Sequence, residues 1–325
     1  MPSQVVSVIV VNWNGGRRLA ESLDALAGQT YRPLEVIVVD NGSDDGSLTL
    51  APATRLSPRI IANDHNAGFA RAANQGFAAA SGELLLSLNA DVYPQPTFIE
   101  ALVEALTSAP EAGMVCGKLY AGSEPANGRQ LDSTGLFLNR QRRPYDRGQG
   151  ETDAGQYDTQ MDVFGAPGAA CLYRRAMLTD VACEGEILDE DFFVYYEDVD
   201  LSWRARLRGW TCRYVPAAAA WHARGGGDTL RRRFRAPKRA FAQVHALKNR
   251  YLMMLKNDDW ASLAPALPAL VAGDLARLAY IAARRPALLR AYADAWRLRR
   301  RALHKRAIIQ AGRRVSHLEM QRWLR

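Results

Sequence analysis

Two hydrophobic rhythms alternate through the first hundred residues. Apolar side chains fill nearly every position of VVSVIVVNW (residues 5 to 13), LEVIVVDNGS (34 to 43) and ELLLSLNAD (83 to 91), with a shorter run in RIIAND (59 to 64). Unbroken runs of this kind predict strands buried on both faces, hence a parallel sheet. Between them, Leu19, Leu23 and Leu26 share one helical face within residues 17 to 27, and FARAANQGFAAA (69 to 80) reads as a second helix. Strand and helix in alternation predict an α/β layer structure with helices on either side of the sheet. Ligands of such sheets sit beyond the carboxyl ends of the strands, which singles out Asn12 to Asn14, Asp40 to Ser43, Asp64 to Gly68 and Asn89 to Asp91.

From about residue 120 to 160 the chain turns polar and glycine-rich (GSEPANGRQ, RGQGETDAGQYD), a pattern of loops and short hairpins expected to form a flexible substrate flap. Beyond Gly227 the composition shifts to Ala, Leu and Arg at helical spacing. A domain boundary is therefore expected there, with an α/β part at 1–227 and a basic, amphipathic helical part at 228–325.

Charge sharpens that division. The net charge of +8 over 325 residues combines 19 Lys and Arg against 29 Asp and Glu in residues 1–229 with 23 against 5 in residues 230–325. An acidic body with a basic tail predicts an anionic partner, membrane lipid or nucleic acid. No part of the tail has the roughly 18 uninterrupted apolar residues of a spanning helix, since Pro265, Pro268, Asp274 and Arg277 break the best run. A pair of in-plane helices fits better, with Trp260, Trp296 and Trp323 at the interface and arginines on anionic lipid. The competing expectation is a helical subdomain or dimer interface with a solvated basic face. Cys116, Cys171, Cys183 and Cys212 are scattered without a C-x-x-C pair, which argues against a zinc site or disulfide framework and for a reducing cytosol. MPSQVVSVIVVNWNGG shows no signal-peptide pattern, so the expected location is cytoplasmic, peripheral on the inner face of the membrane.

The candidate chemistry lies at the strand ends. No G-x-G-x-x-G follows the first strand and no P-loop is present. HNAGFARAANQG offers another anion grip, with Gly68 at a turn, a helix amino end and Arg71 one turn in; the plainer alternative is a capped surface helix. Asp40 is either an Asx turn or an acceptor for a nucleobase or ribose. Asn89-Ala90-Asp91 brings a carboxylate to a strand end, where an octahedral Mg²⁺ or Mn²⁺ could bridge to diphosphate oxygens. In FFVYYEDVDLSWRARLRGW (192 to 210) aromatic residues lead into Glu197, Asp198 and Asp200 at the start of an amphipathic helix. These acids either cap the first turn or face a polar cleft, with Asp198 the candidate general base. His222, after VPAAAAW, is either structural or a metal ligand.

Taken in order, VSVIVVNWN, VIVVDNGSDDGS, NAGFARAANQG, LLLSLNADV, VFGAPGAACLYRR, FVYYEDVDLSWR and AAAAWH resemble the inverting family 2 glycosyltransferases over roughly residues 5 to 225. The resemblance implies the GT-A fold, a Rossmann-like α/β architecture with a mostly parallel central sheet, here carrying a C-terminal helical extension. It also implies transfer of a sugar from a nucleotide-diphosphate donor to a hydroxyl of a glycan or lipid-linked acceptor in cell-surface polysaccharide synthesis, assisted by Mg²⁺ or Mn²⁺. By the same resemblance Asp91 is the last acid of a D-x-D-type metal motif, with Asn89 where many members have Asp, and His222 completes the metal site. Asn12, Asn14, Asp40, Asn66, Gly68, Arg71, Asn74, Asn89 and Ala90 fall on the donor-nucleotide side, Asp198 is the base, and Gly165, Ala166, Gly168 and Glu197 line the acceptor side. LDSTGLFLNRQRRPYDRGQG and HALKNRYLMMLKN are most similar to the bacterial rhamnosyltransferase-like branch, which implies a donor such as dTDP-L-rhamnose. Two alternatives compete. A sugar-phosphate nucleotidyltransferase would carry a Gly-rich, basic loop after the first strand, which WNGGRRL only approximates; a nucleic-acid-binding role for the tail leaves the ordered acids and His222 without a purpose. No nucleic-acid partner is expected, and the oligomeric state is left open.

Overall fold

The computed structural model describes residues 4–50, 55–123, 129–224 and 236–324. The four apolar runs form β1 (Val6–Asn12), β2 (Leu34–Asp40), β3 (Arg59–Ala62) and β4 (Leu84–Asn89), paired in parallel in the order β3-β2-β1-β4. Helix α1 (Arg17–Ala27) follows β1, the short α2 (Ser47–Leu50) follows β2, and α3 (Phe69–Ala79) leads into β4. Val6, Val8, Val10, Leu84, Leu86 and Leu88 enter one core together with α1 and α4 (Phe98–Thr107). Ile9 and Leu85 enter a second core on the other face, under α3, α5 (Arg175–Val181) and α6 (Glu197–Leu207). With both faces dry, no strand position needs a polar side chain, which is why the runs are continuous rather than alternating.

Beyond β4 the sheet continues through β11 (Ala170–Arg174), which is antiparallel to both β4 and β6 (Ala112–Ala121), to β12 (Thr211–His222), parallel to β6, and β10 (Met161–Asp162) at the edge. The short β5 (Val92–Pro94) and β7 (Leu131–Ser133) attach to β12 and β6, and β8 (Leu136–Leu138) with β9 (Pro144–Asp146) makes a separate hairpin. Register aligns the strand ends: Asn12 lies opposite Asp40, Val11 opposite Asn89, and Val92 opposite His222.

Two sequence expectations change here. Residues 131–138 are all buried, and β7 is hydrogen-bonded to β6, so this part of the expected flap belongs to the core. Helix α6 is buried on every side from residue 199 to 207, Trp203, Arg204 and Arg206 included, and is not amphipathic.

The boundary expected at Gly227 lies outside the described residues. Beyond it come α7 (Ala236–Asn257), α8 (Trp260–Leu263), α9 (Leu267–Arg284), α10 (Arg290–Ala311) and α11 (His317–Gln321). Leu252, Met253, Ala302, Ile309 and Met320 from these helices join the core under α6. Much of the basic charge also turns inward, contrary to a tail made wholly for an external anion. Lys256 pairs with Asp189 and, at 2.9 Å, with Asp200; Lys305 lies 2.6 Å from Asp189 and 2.9 Å from Glu186; Arg301 lies 2.8 Å from Asp191. Trp323 packs against Phe137 and Phe164 with the Arg206 guanidinium over its ring, and so leaves the expected interfacial set. Trp260 and Trp296 are 68% and 67% exposed. The stretch Trp260–Arg284 is, by overall composition and its 25-residue length, apolar enough to cross a membrane, although charged residues interrupt it.

Candidate active site

At the adjoining ends of β1 and β2 the polar side chains satisfy one another. Asn12 Nδ2 donates to Asp40 Oδ1 at 2.6 Å and to Ser47 Oγ at 2.8 Å, while Asp40 also accepts from the Ser43 hydroxyl and, through Oδ2, the Ser43 amide. Asp40 is 2% exposed. Its carboxylate organises the turn after β2. Asn14, exposed and with φ of 52°, accepts from the Asp44 amide.

The N-A-G-F turn is built in the same way. Asn66 Oδ1 accepts from Asn41 Nδ2 and from the Gly68 amide at 2.9 Å each. Gly68 has φ of 92°, and a Cβ there would lie 2.6 Å from the Phe193 ring, so only glycine fits. The amide of Ala70 in the first turn of α3 donates to the Phe193 carbonyl at 3.2 Å, which caps one of the groups expected to receive phosphate. Asn74 exchanges hydrogen bonds with the Leu188 backbone at 2.8 and 2.9 Å, and Arg71, 59% exposed, lies 3.9 Å from Glu190. Both side chains are directed to the loop before Phe192.

A second group gathers where β4 and β12 end and β5 begins. His222 Nε2 stands 3.5 Å from Asp91 Oδ1, and its Nδ1 lies 2.8 Å from Asp132 Oδ2 on β7. The other oxygen of Asp132 accepts from Arg224, whose Nη2 lies 3.5 Å from Asp146 at the end of β9. Burial opposes a charged imidazolium, but Asp132 and Asp91 outweigh it and raise the His222 pKa to about 9. Burial likewise opposes ionisation of Asp132, which His222 and Arg224 reverse, holding it below the usual carboxylate range. Asp146 goes the other way: burial, with the charges of Asp132 and Asp198 added, pushes it up to about 6 against the pull of Ser133 and Arg224. Among the described residues no three His, Cys, Asp or Glu side chains form a metal cage. One carboxylate and one imidazole, the latter braced on its far side by Asp132, would suit a hard divalent cation that keeps waters and takes substrate oxygens only once His222 gives up its Nε2 proton, so binding there would release a proton. Ala90 is buried, and the Asn89 amide donates to Ala169 at 2.9 Å.

That last bond leads to the third group. Neighbouring Gly168 donates its amide to Asp198 Oδ2 at 2.8 Å, and Val199 donates to Asp198 Oδ1 at 2.8 Å. A Cβ on Gly168 would stand 3.2 Å from that of Asp198, so glycine permits the approach. Gly165 pairs with Leu136 of β8, and Ala166 is buried beneath. Burial raises the pKa of Asp198 while its two amide donors work against the rise. Glu197 Oε2 is buried without a hydrogen-bond partner among the described residues, and burial followed by the charge on Asp198 pushes its pKa up to about 8. At neutral pH Glu197 thus holds its proton, and Asp198 is the member of the pair whose charged form the Gly168 and Val199 amides favour against burial.

The chain enters α6 through an unusual bend. Phe193, Tyr195 and Tyr196 have φ of 66°, 70° and 72°, each costing of order 1–3 kcal/mol for a bulky residue unless the surroundings hold it. Sequence reasoning passed over Asp132, Arg224 and Asp146. Arg224 stands two residues after His222, and Asp132 is a charged residue inside a short buried strand; both were visible signals.

Known proteins align with this arrangement. The family model described as Glycosyl transferase family 2 matches residues 7–181. The N-acetylglucosaminyl-diphospho-decaprenol L-rhamnosyltransferase of Mycobacterium tuberculosis is 29% identical over 248 residues, 68% of this chain and 76% of that protein. The mannosyltransferase PcManGT from Pyrobaculum calidifontis, solved in complex with GDP-Man and Mn²⁺, superposes with a TM-score of 0.55 at 18% identity, covering 95% of this chain and 86% of its own. GalNAc-T7, solved with UDP, GalNAc and Mn²⁺, gives a TM-score of 0.60 at 13% identity over 78% of this chain, which spans 48% of that protein. The two structures share the GT-A fold with it.

Proposed function

The chain belongs to glycosyl transferase family 2, and from that premise we propose that it transfers a sugar with inversion from a nucleotide-diphosphate donor to a hydroxyl of a lipid-linked glycan. The observation that carries this reading is the arrangement at one sheet edge. Asp198, on Gly168, is linked through Ala169 to Asn89, two residues before the Asp91–His222 pair. In this reading Asp198, ionised beside neutral Glu197, takes the proton of the acceptor hydroxyl as it attacks the anomeric carbon. Asp91 and His222, the latter deprotonated at Nε2, would hold Mg²⁺ or Mn²⁺, which would supply positive charge against the departing diphosphate. Asp132 keeps the His222 ring oriented, and Arg224 adds positive charge beside it.

The named activity of the mycobacterial relative supports L-rhamnose as the sugar and a polyprenyl-diphospho-sugar as acceptor, and dTDP is the nucleotide proposed with them. A lipid-linked acceptor agrees with the outward face of α9, where Val271, Leu275 and Tyr280 are 48%, 61% and 56% exposed, and peripheral contact with the inner membrane surface follows as part of the same proposal.

The test is titration calorimetry with dTDP, UDP and GDP, each with and without Mn²⁺, followed by product analysis with the matching sugar nucleotide. Metal-dependent binding of one nucleotide and release of the nucleoside diphosphate are expected. Release of pyrophosphate would overturn the reading in favour of nucleotidyl transfer.

A further inference from the structure

The segment HALKNRYLMMLKN of α7 carries three consecutive polar residues, Lys248, Asn249 and Arg250, that are 5%, 0% and 2% exposed. Buried side chains of this kind on a helix are held only where they are bonded. Their partners are backbone carbonyls, with the Asp274 carboxylate added for Arg250. Lys248 Nζ donates to the Asp191 carbonyl at 2.5 Å, and Arg250 donates to the Gln141 carbonyl at 2.8 Å. Asn249 Nδ2 lies 2.9 Å from the carbonyl of Phe192, 2.9 Å from that of Val194 and 2.7 Å from that of Tyr195. The remaining carbonyl in this run, that of Phe193, accepts from Ala70 of α3. Thus the carbonyls of residues 191–195 are all engaged by neighbouring helices, three of them by one amide.

We propose that Asn249 is a positioning residue for the transfer reaction, holding the bend at Phe193, Tyr195 and Tyr196 so that α6 starts with Asp198 against Gly168. The proposal rests on Asp198 being the base. The mechanical link is short: Tyr196, in the left-handed region, is the residue before Glu197, and its carbonyl accepts the Asp200 amide in the first turn of α6. Without the Asn249 amide, the Val194 and Tyr195 carbonyls lose this donor, the Phe192 carbonyl keeps the Val194 amide, and the positive-φ bend loses a shared anchor. The bend then relaxes, and the carboxylate at its end moves relative to the reacting hydroxyl. A misplacement of about 1 Å in such a group costs on the order of 10²-fold in rate. The strands at the nucleotide end of the cleft, β1, β2 and β4, make none of the Asn249 contacts, and the bend meets that end where Phe193 packs on Gly68 and accepts from Ala70, contacts that Asn249 does not make.

In the full chain, Asn249→Ala is expected to lower kcat by about 10- to 100-fold in dTDP release from dTDP-L-rhamnose with a synthetic polyprenyl-diphospho-GlcNAc acceptor. The KM for donor and the Kd for dTDP with Mn²⁺ should stay within about twofold. Hydrogen exchange, which needs no substrate, should quicken at least about tenfold in peptides covering residues 192–200 and stay unchanged in β1 and β4. Should the Ala variant fail to fold, Asn249→Ser, whose short hydroxyl reaches at most one carbonyl, must show the same pattern. Asp198→Asn is measured alongside. Unchanged exchange in residues 192–200, or a kcat within about threefold of wild type where Asp198→Asn is dead, overturns the positioning role. A parallel loss of dTDP binding overturns it as well. An Asp198→Asn variant with near-wild-type kcat instead overturns the base assignment, and the positioning proposal falls with it.

Discussion

Glu197→Gln separates the two carboxyl groups at the start of α6. Glu197 is buried, its pKa stands at about 8 rather than the ordinary 4.5, and its neighbour Asp198 contributes to that rise. Because the folded-state value is raised, Glu197 contributes stability that is fully present below about pH 4.5 and is lost as pH rises toward and through 8. Each pH unit in that window removes about 1.4 kcal/mol, so roughly 3 kcal/mol disappears between pH 5 and 7. The shared charge with Asp198 argues for taking about half of that as the working figure. Glutamine has the shape of the protonated acid and no proton to lose. The variant should match the wild type in urea denaturation at pH 5 and exceed it by about 1.5–3 kcal/mol at pH 7, with a further gain at pH 8.5. At pH 7 its kcat should remain within about threefold of wild type, since the side chain it replaces is already neutral. A stability difference that stays flat from pH 5 to 8.5 would refute the assignment of Glu197 as the neutral member. A kcat loss of about 10²-fold or more would make Glu197 the base instead of Asp198.

Asp198→Asn should lose about 10²–10⁴-fold in kcat while binding nucleotide normally, and in the wild type the acid limb of the kcat profile should lie above the usual aspartate range, because burial raises the Asp198 pKa and activity grows as the group ionises. A limb near pH 4 or below would sink that expectation. Asp91→Ala should weaken the Mn²⁺-dependent part of nucleotide binding and turnover together, and calorimetry showing an unchanged metal requirement would move the cation elsewhere. Lys305→Met leaves Asp189 and Glu186 short of a buried cation and should cost on the order of 3–5 kcal/mol, read as a lower denaturation midpoint; a midpoint equal to wild type would mean that Lys256 carries the site by itself.

What could be read in the sequence depended on whether the relevant physics was local. Strands β1, β2 and β4 were legible because burial on both faces leaves a period-independent apolar run, and Asp91 was legible because a strand end is a fixed place in an open sheet. Asp40 and Asn74 show the limit: a polar residue after a strand or on a helix gives no sign in sequence that it bonds Ser43 or the Leu188 backbone. Asp132, Asp146 and Asn249 act through contacts to residues 90, 78 and 54 to 57 positions away respectively, and no spacing rule anticipates those. The charge split was misleading for a related reason. A sum over residues 230–325 counts Lys256 and Lys305 as surface, yet both are buried and, with the exposed Arg301, neutralise an acidic segment, EGEILDED, that packs five carboxylates into residues 184–191 beside buried Phe192. Such a density of acid next to a core aromatic is unfavourable unless cations reach it, so that segment already required a basic partner from somewhere in the chain. The helical region answers the requirement, and in doing so it is tied to the same loop that delivers Asp198.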